Sequence, residues 1–133
     1  MRDLIFHHVG IACSSIAAEE EYYSTLGYTR EGREFVDPAQ KIRGIFMTLG
    51  PFRIELLEPA SKNSPLDPFL QKGVQMYHQA FLCDRLGETI DFLAAQGAVL
   101  LVPPVPAVAF NGRKISFLML RNRMMVELIE SVP

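Results

Sequence analysis

Four polar side chains stand inside strongly apolar runs: His8 in LIFHHVGIAC, Glu55 in RIELLEP, His78 in VQMYHQAFLC and Glu127 in MVELIE. They come in matched pairs. His8 lies five residues before Cys13, and His78 five before Cys83. Each histidine lies 19 residues before a glycine, Gly27 or Gly97. Glu55 follows His8 by 47 residues, and Glu127 follows His78 by 49. One histidine in a strand is ordinary, and one glutamate there usually faces water. A buried carboxylate without a partner is costly, so two of each at repeated positions need a common reason. Two imidazoles and two carboxylates make a site for one divalent ion, since mixed nitrogen and oxygen ligation suits Co, Ni, Mn, Zn or Fe. Four protein ligands on an octahedral ion leave two positions for substrate oxygens.

Strand side chains alternate between faces. His8 therefore shares a face with Gly10 and Ala12, and His78 with Ala80 and Leu82, and the small neighbours leave room there. The elements that carry these residues repeat as well. A strand at 3–12 leads to a helix over Ser15–Leu26, capped by Ser14 or Ser15 and stopped by Gly27. Extended segments follow near 28–37, 42–49 and 52–58. The Pro- and Ser-rich stretch PASKNSPLDPFLQKG (59–73) reads as a linker with a short helix at 68–72. Then come a strand at 75–83, a helix at 85–96, and extended segments near 98–104, 112–120 and 123–131. The prolines of VPPVPAV mean that the first of these ends early or lies at an edge. The chain thus reads as two copies of a β-α-β-β-β module, about 3–58 and 74–131, in a single domain over 1–133. The expected class is α+β: two tandem modules forming a curved mixed sheet, with matched residues converging on a metal cavity about a pseudo-dyad.

Other polar residues read as structural. His7 points away from the His8 face, and the repeat has Tyr77 there. Glu58 and Glu130 lie on the face opposite Glu55 and Glu127 and read as solvated or strand-end residues. Cys13 and Cys83 read as small buried hydrophobes. Arg53 shares a face with Glu55, as a substrate contact or an ion-pair partner. Composition narrows the function classes. A net charge of -2 with no basic block gives nucleic acid no footprint. No apolar run reaches the length of about 18 residues that spans a bilayer. Two cysteines make no disulfide scaffold, and the N-terminal run lacks a signal-peptide pattern. The expectation is a cytoplasmic protein with reduced thiols.

On HVGIA (8–12), IELLEP (54–59), the Ser-Pro and FLQKG pieces of 64–73, and VELIE (126–130), the chain resembles the vicinal oxygen chelate superfamily of glyoxalases, bleomycin resistance proteins and dioxygenases. Within it, the chain looks most like methylmalonyl-CoA epimerase. The resemblance implies a glyoxalase-like fold, a homodimer, and His8, Glu55, His78 and Glu127 as ligands of one divalent metal ion. It implies a small-molecule substrate, an acyl-CoA thioester, epimerised by proton abstraction next to its carbonyl. Glu127 is the first candidate proton carrier and Glu55 the second, with Asp37 or a water as alternatives. Gln40 fits the family's substrate side. Arg113 and Lys114, in FNGRKISFL, could meet phosphates or carboxylates, or be surface charges. The same ligand set is similar to that of glyoxalase I, so a lactoylglutathione lyase is the alternative enzyme. A non-enzymatic, drug-sequestering binder is the third reading, and retention of all four ligands argues against it. The chain departs from the epimerase pattern at Ala39 and Lys41, where an acid and a glycine are usual, and in LMLRNRMMVEL, which lacks the His-Pro-Lys and glycine-rich segment. The sequence leaves open the metal, the acyl carrier, the second base, and whether one chain or two build the site.

Overall fold

The computed structural model describes residues 4–131, which form two compact units. Unit one is residues 8–77; unit two combines residues 4–7 with 78–131. The chain passes between them at the peptide bonds just before His8 and just before His78.

Unit one contains most of β1 (Ile5–Ala12), then α1 (Ile16–Thr25), β2 (Thr29–Asp37), β3 (Ile42–Leu49), β4 (Phe52–Pro59) and α2 (Asp67–Lys72). Its strands lie in the order β2-β3-β4-β1, antiparallel except for the parallel pair β1–β4. The helix α1 starts where Ser15, in extended conformation, accepts a hydrogen bond from the Ala18 N–H. Glu58 reaches across from β4 to accept from the Ile16 N–H at 2.9 Å. Two free N–H groups of the first turn are thereby satisfied, and a negative charge sits at the positive end of the helix. Leu26 caps the C-terminal end of the helix, and Gly27 follows at φ 104°, a conformation that favours glycine.

The sheet of unit one buries apolar side chains on both faces. Ile11, Cys13, Ile16, Ile45, Met47, Ile54 and Leu56 pack together under α1. On the other face Ala12, Ile42, Leu57 and Leu66 gather with Phe35, Phe69, Leu70 and Tyr77, so α2 covers this side. Gly44 lies opposite Phe35 in the β2–β3 register, and a Cβ there would come within 2.5 Å of the Phe35 ring. The glycine is what lets that ring lie across the sheet.

Unit two repeats the pattern with β5 (Met76–Cys83), α3 (Leu86–Ala95), β6 (Val99–Pro106), a short 3-10 helix (Val108–Phe110), β7 (Lys114–Met119) and β8 (Met125–Glu130). The order is β5-β8-β7-β6, again with one parallel pair, β5–β8. Cys83, Leu86, Ile90, Leu118, Val126 and Leu128 form the core beneath α3, joined by Leu4. Ala80, Ala107, Ile115 and Ile129 form the opposite core with Leu82, Val105, Phe110 and Phe117. β6 does not end early. It runs through Pro103 and Pro104 because it lies last in the order, where an absent N–H costs no ladder bond.

The α+β class and the paired β-α-β-β-β modules are as the repeat predicts. Among the described residues, no helix is long and apolar enough to cross a membrane.

Candidate metal centre

Each unit holds one buried histidine–glutamate pair. In unit one, β1 presents His8 and β4 presents Glu55, with Nε2 and Oε1 3.0 Å apart. In unit two, β5 presents His78 and β8 presents Glu127, at 3.3 Å between the same atoms. His8 is fully buried, and the other three are 4% exposed.

The parallel registers explain the meeting. Glu55 lies opposite Gly10, two residues beyond His8 on the same face. Glu127 lies opposite Ala80, two residues beyond His78. In both units the glutamate thus reaches diagonally to the histidine over a residue with almost no side chain.

A third residue completes each set, and the sequence reading missed it. Phe46 lies opposite Glu55 in the β3–β4 register, and its ring meets the His8 imidazole edge to face, 5.2 Å between centroids and 76° between planes. Phe117 lies opposite Glu127, and its ring meets His78 at 5.3 Å and 83°. The available signal was positional: these phenylalanines precede their glutamates by nine and ten residues.

Removing a carboxylate from water costs several kcal/mol unless a partner restores the interaction. Here imidazole nitrogen, carboxylate oxygen and apolar walls come together in dry surroundings. That donor chemistry fits a divalent cation, whose charge would offset the buried carboxylate. The buried His and Glu donors could therefore hold a metal ion. Neither cysteine belongs to this donor group. Burial, aided by nearby Glu19 and Glu58, pushes the Cys13 thiol up to about 12, and burial raises Cys83 as well. Both are free, buried and protonated at neutral pH.

The remaining candidates are engaged as follows. Asp37 is buried and accepts hydrogen bonds from the Gln40 backbone N–H (3.2 Å) and from its Nε2 (2.9 Å). The acid thus closes the turn between β2 and β3 and holds the Gln40 side chain. Arg53 forms a two-pronged ion pair with Glu31, at 2.8 and 3.1 Å. Arg113 is half-buried, and Lys114 is exposed. Glu58 and Glu130 are not merely solvated: Glu58 caps α1, and Glu130 accepts from the Lys114 N–H at 3.1 Å. His7 packs edge to face on Phe110, and Tyr77 against Phe69.

Comparison with known proteins places these features in context. A family model described as the Glyoxalase/Bleomycin resistance protein/Dioxygenase superfamily matches residues 7–117. The chain is 38% identical over 127 residues to the uncharacterized protein YqjC of Bacillus subtilis, covering 92% of this chain and 89% of that one. It is 32% identical over 115 residues to ethylmalonyl-CoA/methylmalonyl-CoA epimerase of Cereibacter sphaeroides, covering 84% and 85%. Among solved structures, a variant of Streptomyces coelicolor methylmalonyl-CoA epimerase in complex with 2-nitronate-propionyl-CoA superposes with a TM-score of 0.81. The two are 25% identical, over 98% of this chain and 96% of that one.

Proposed function

The chain belongs to the glyoxalase/bleomycin resistance protein/dioxygenase superfamily, and from that premise we propose that it is a divalent-metal-dependent epimerase acting next to the thioester carbonyl of an acyl-CoA. The observation that carries this reading is the occurrence, once in each unit, of a buried His–Glu pair of matching geometry. The relative from Cereibacter sphaeroides, named for two acyl-CoA epimerisations, supports the substrate class.

In this reading His8, Glu55, His78 and Glu127 together hold one ion. All four are buried and offer imidazole nitrogen or carboxylate oxygen. A divalent ion there would supply positive charge to a carbonyl oxygen as negative charge builds on it. The rest falls to the side chains. Epimerisation removes a proton from one face of a carbon and returns one to the other, which takes two groups or one mobile group. Glu127 is assigned the first transfer and Glu55 the second. Their apolar surroundings exclude water that would compete for the proton. Gln40, with its amide fixed by Asp37, is assigned to orient the acyl end, and Arg113 and Lys114 to meet the phosphates of the carrier. A single domain, a homodimer and a cytoplasmic location complete the proposal.

One observation favours a second reading. Asp37, the nearest acid to the segment where epimerases usually carry one, is occupied with Gln40. A lyase acting on a glutathione thiohemiacetal, with the same four ligands, is that alternative.

The test begins with the metal content of the full chain beside His8→Ala/His78→Ala. One ion per site in the wild type, absent from the double variant, supports the ligand set. Deuterium exchange at the α-carbon of an acyl-CoA, abolished in Glu127→Gln with the ion retained, supports the epimerase. Turnover of a glutathione thiohemiacetal without acyl-CoA exchange would replace it with the lyase.

A further inference from the structure

Comparing the two copies residue by residue singles out one position. Along β3 and β7, the residues flanking the row of the buried glutamates differ between copies: Gly44 against Ile115, Ile45 against Ser116, Met47 against Leu118. The residue directly opposite the glutamate is phenylalanine in both, Phe46 and Phe117. In both, its ring stands nearly perpendicular to the imidazole, with centroids 5.2 and 5.3 Å apart. The same ring thus meets the imidazole in both copies although the residues on either side of it differ. Edge-to-face contact is the arrangement in which a ring quadrupole both attracts and orients a second ring. Histidine turns readily about its side-chain bonds, and its ring must face one way for Nε2 to meet the carboxylate.

We propose that Phe46 and Phe117 are positioning residues: each holds its histidine imidazole, His8 or His78, with Nε2 turned to the glutamate, and so sets the pair for an ion before one arrives. The consequence for ion affinity rests on the reading that these pairs hold a metal; the orientation of the rings does not. The phenylalanines touch no ion themselves. They remove the freedom the imidazole would otherwise lose on binding, as groups behind metal ligands generally do.

The experiment uses the full chain with Phe46→Leu, Phe117→Leu, the double variant, and Phe46→Tyr and Phe117→Tyr. Leucine keeps an apolar side chain without the ring; tyrosine keeps the ring. Imidazole proton lines of His8 and His78 are followed by NMR in ion-free protein, and cobalt(II) binding by calorimetry. In each leucine variant, the facing histidine is expected to lose its ring-current shift and to show rotamer averaging, and the other histidine to stay unchanged. Cobalt should bind about 2- to 10-fold more weakly per ring removed, the range an aromatic pair contributes. The double variant should bind cobalt more weakly than either single variant; the two histidines would serve one ion, so the two losses are coupled and need not multiply. The tyrosine variants should match the wild type in both measurements. Imidazole lines that keep a single rotamer in the leucine variants would overturn the proposal, as would undiminished cobalt affinity beside a wild type that binds. Where a leucine variant does not fold, Phe46→Met or Phe117→Met takes its place under the same criteria. A wild type that takes up no cobalt rejects the metal reading alone, and the ion-free imidazole lines then decide the positioning role.

Discussion

Gly10 lies directly across from Glu55 in the parallel register of β1 and β4, and the pair is buried. Cross-strand neighbours have Cβ atoms about 5 Å apart, so any side chain at position 10 would stand beside the carboxylate as it reaches for His8. Ala80 holds the same place opposite Glu127. Gly10→Val is therefore expected to push Glu55 off its line to the imidazole. Ion uptake should fall by about tenfold or more, in the range seen when groups around metal ligands are disturbed. Crowding should also cost about 1–3 kcal/mol of stability. Metal titration together with a melting curve separates the two effects, and uptake equal to wild type would show that the small residue is not what admits the glutamate.

The buried Cys13 thiol makes stability depend on alkaline pH. Its folded pKa is raised to about 12 from an ordinary value of 9.0. Between these values the folded chain keeps a proton that the unfolded chain gives up, so the unfolded state gains as pH rises. The thiol's contribution is full below about pH 9 and is lost as pH climbs towards 12. Urea midpoints at pH 8 and pH 10 should show a fall, and Cys13→Ala should show a smaller one. An equal fall in both would assign the alkaline sensitivity to other groups.

Ser116 is fully buried in β7, and its hydroxyl makes no hydrogen bond among the described residues. The matching place in unit one is Ile45, part of the core under α1. A buried hydroxyl that gives up water without replacement costs about 1–3 kcal/mol. Ser116→Ala is expected to stabilise the protein by about 1 kcal/mol and raise Tm by about 3–5 °C. A lower Tm would mean that the hydroxyl meets a buried water.

The two tight hairpins before the glutamate strands differ in one backbone detail. Gly50 takes the left-handed conformation in the first, and Arg123, at φ 70°, takes it in the second. A side chain in that conformation costs about 1 kcal/mol, which glycine avoids. Arg123→Gly should raise the denaturation midpoint by a corresponding amount, less what the extra freedom of glycine in the unfolded chain returns. A loss of stability would show that the Arg123 side chain makes a compensating contact.

The modules were legible because strands and helices differ in period, and because histidine and glutamate are conspicuous among Val, Ile and Leu. The Phe46 and Phe117 rings were not, since a phenylalanine in a strand looks like any core residue until its neighbour across the sheet is known. Glu58 is a similar case. It caps a helix that begins 42 residues earlier in the chain, a distance no local pattern spans. The Arg53–Glu31 pair depends on which strands become neighbours, so the sequence could offer it only as one of two options. Asp37 and Gln40 are different: their contact closes a local Asp-Pro-Ala-Gln turn, but in the sequence the two read as a candidate base and a substrate residue and were not paired. The course of β6 through its prolines followed once its place at an edge was fixed.

The chain's crossings just before His8 and His78 bear on how the protein could be divided. Phe6, ahead of the first crossing, packs edge to face on Phe81, and Leu4 joins the core under α3. Ahead of the second, the Gln75 carbonyl accepts from the Ala12 N–H at 2.8 Å, and Tyr77 lies on Phe69. A cut anywhere in the 59–73 linker would therefore leave each fragment holding a short piece that belongs to the other. Each fragment would lack a piece that its own unit packs against, so the two halves cut there do not correspond to the two units.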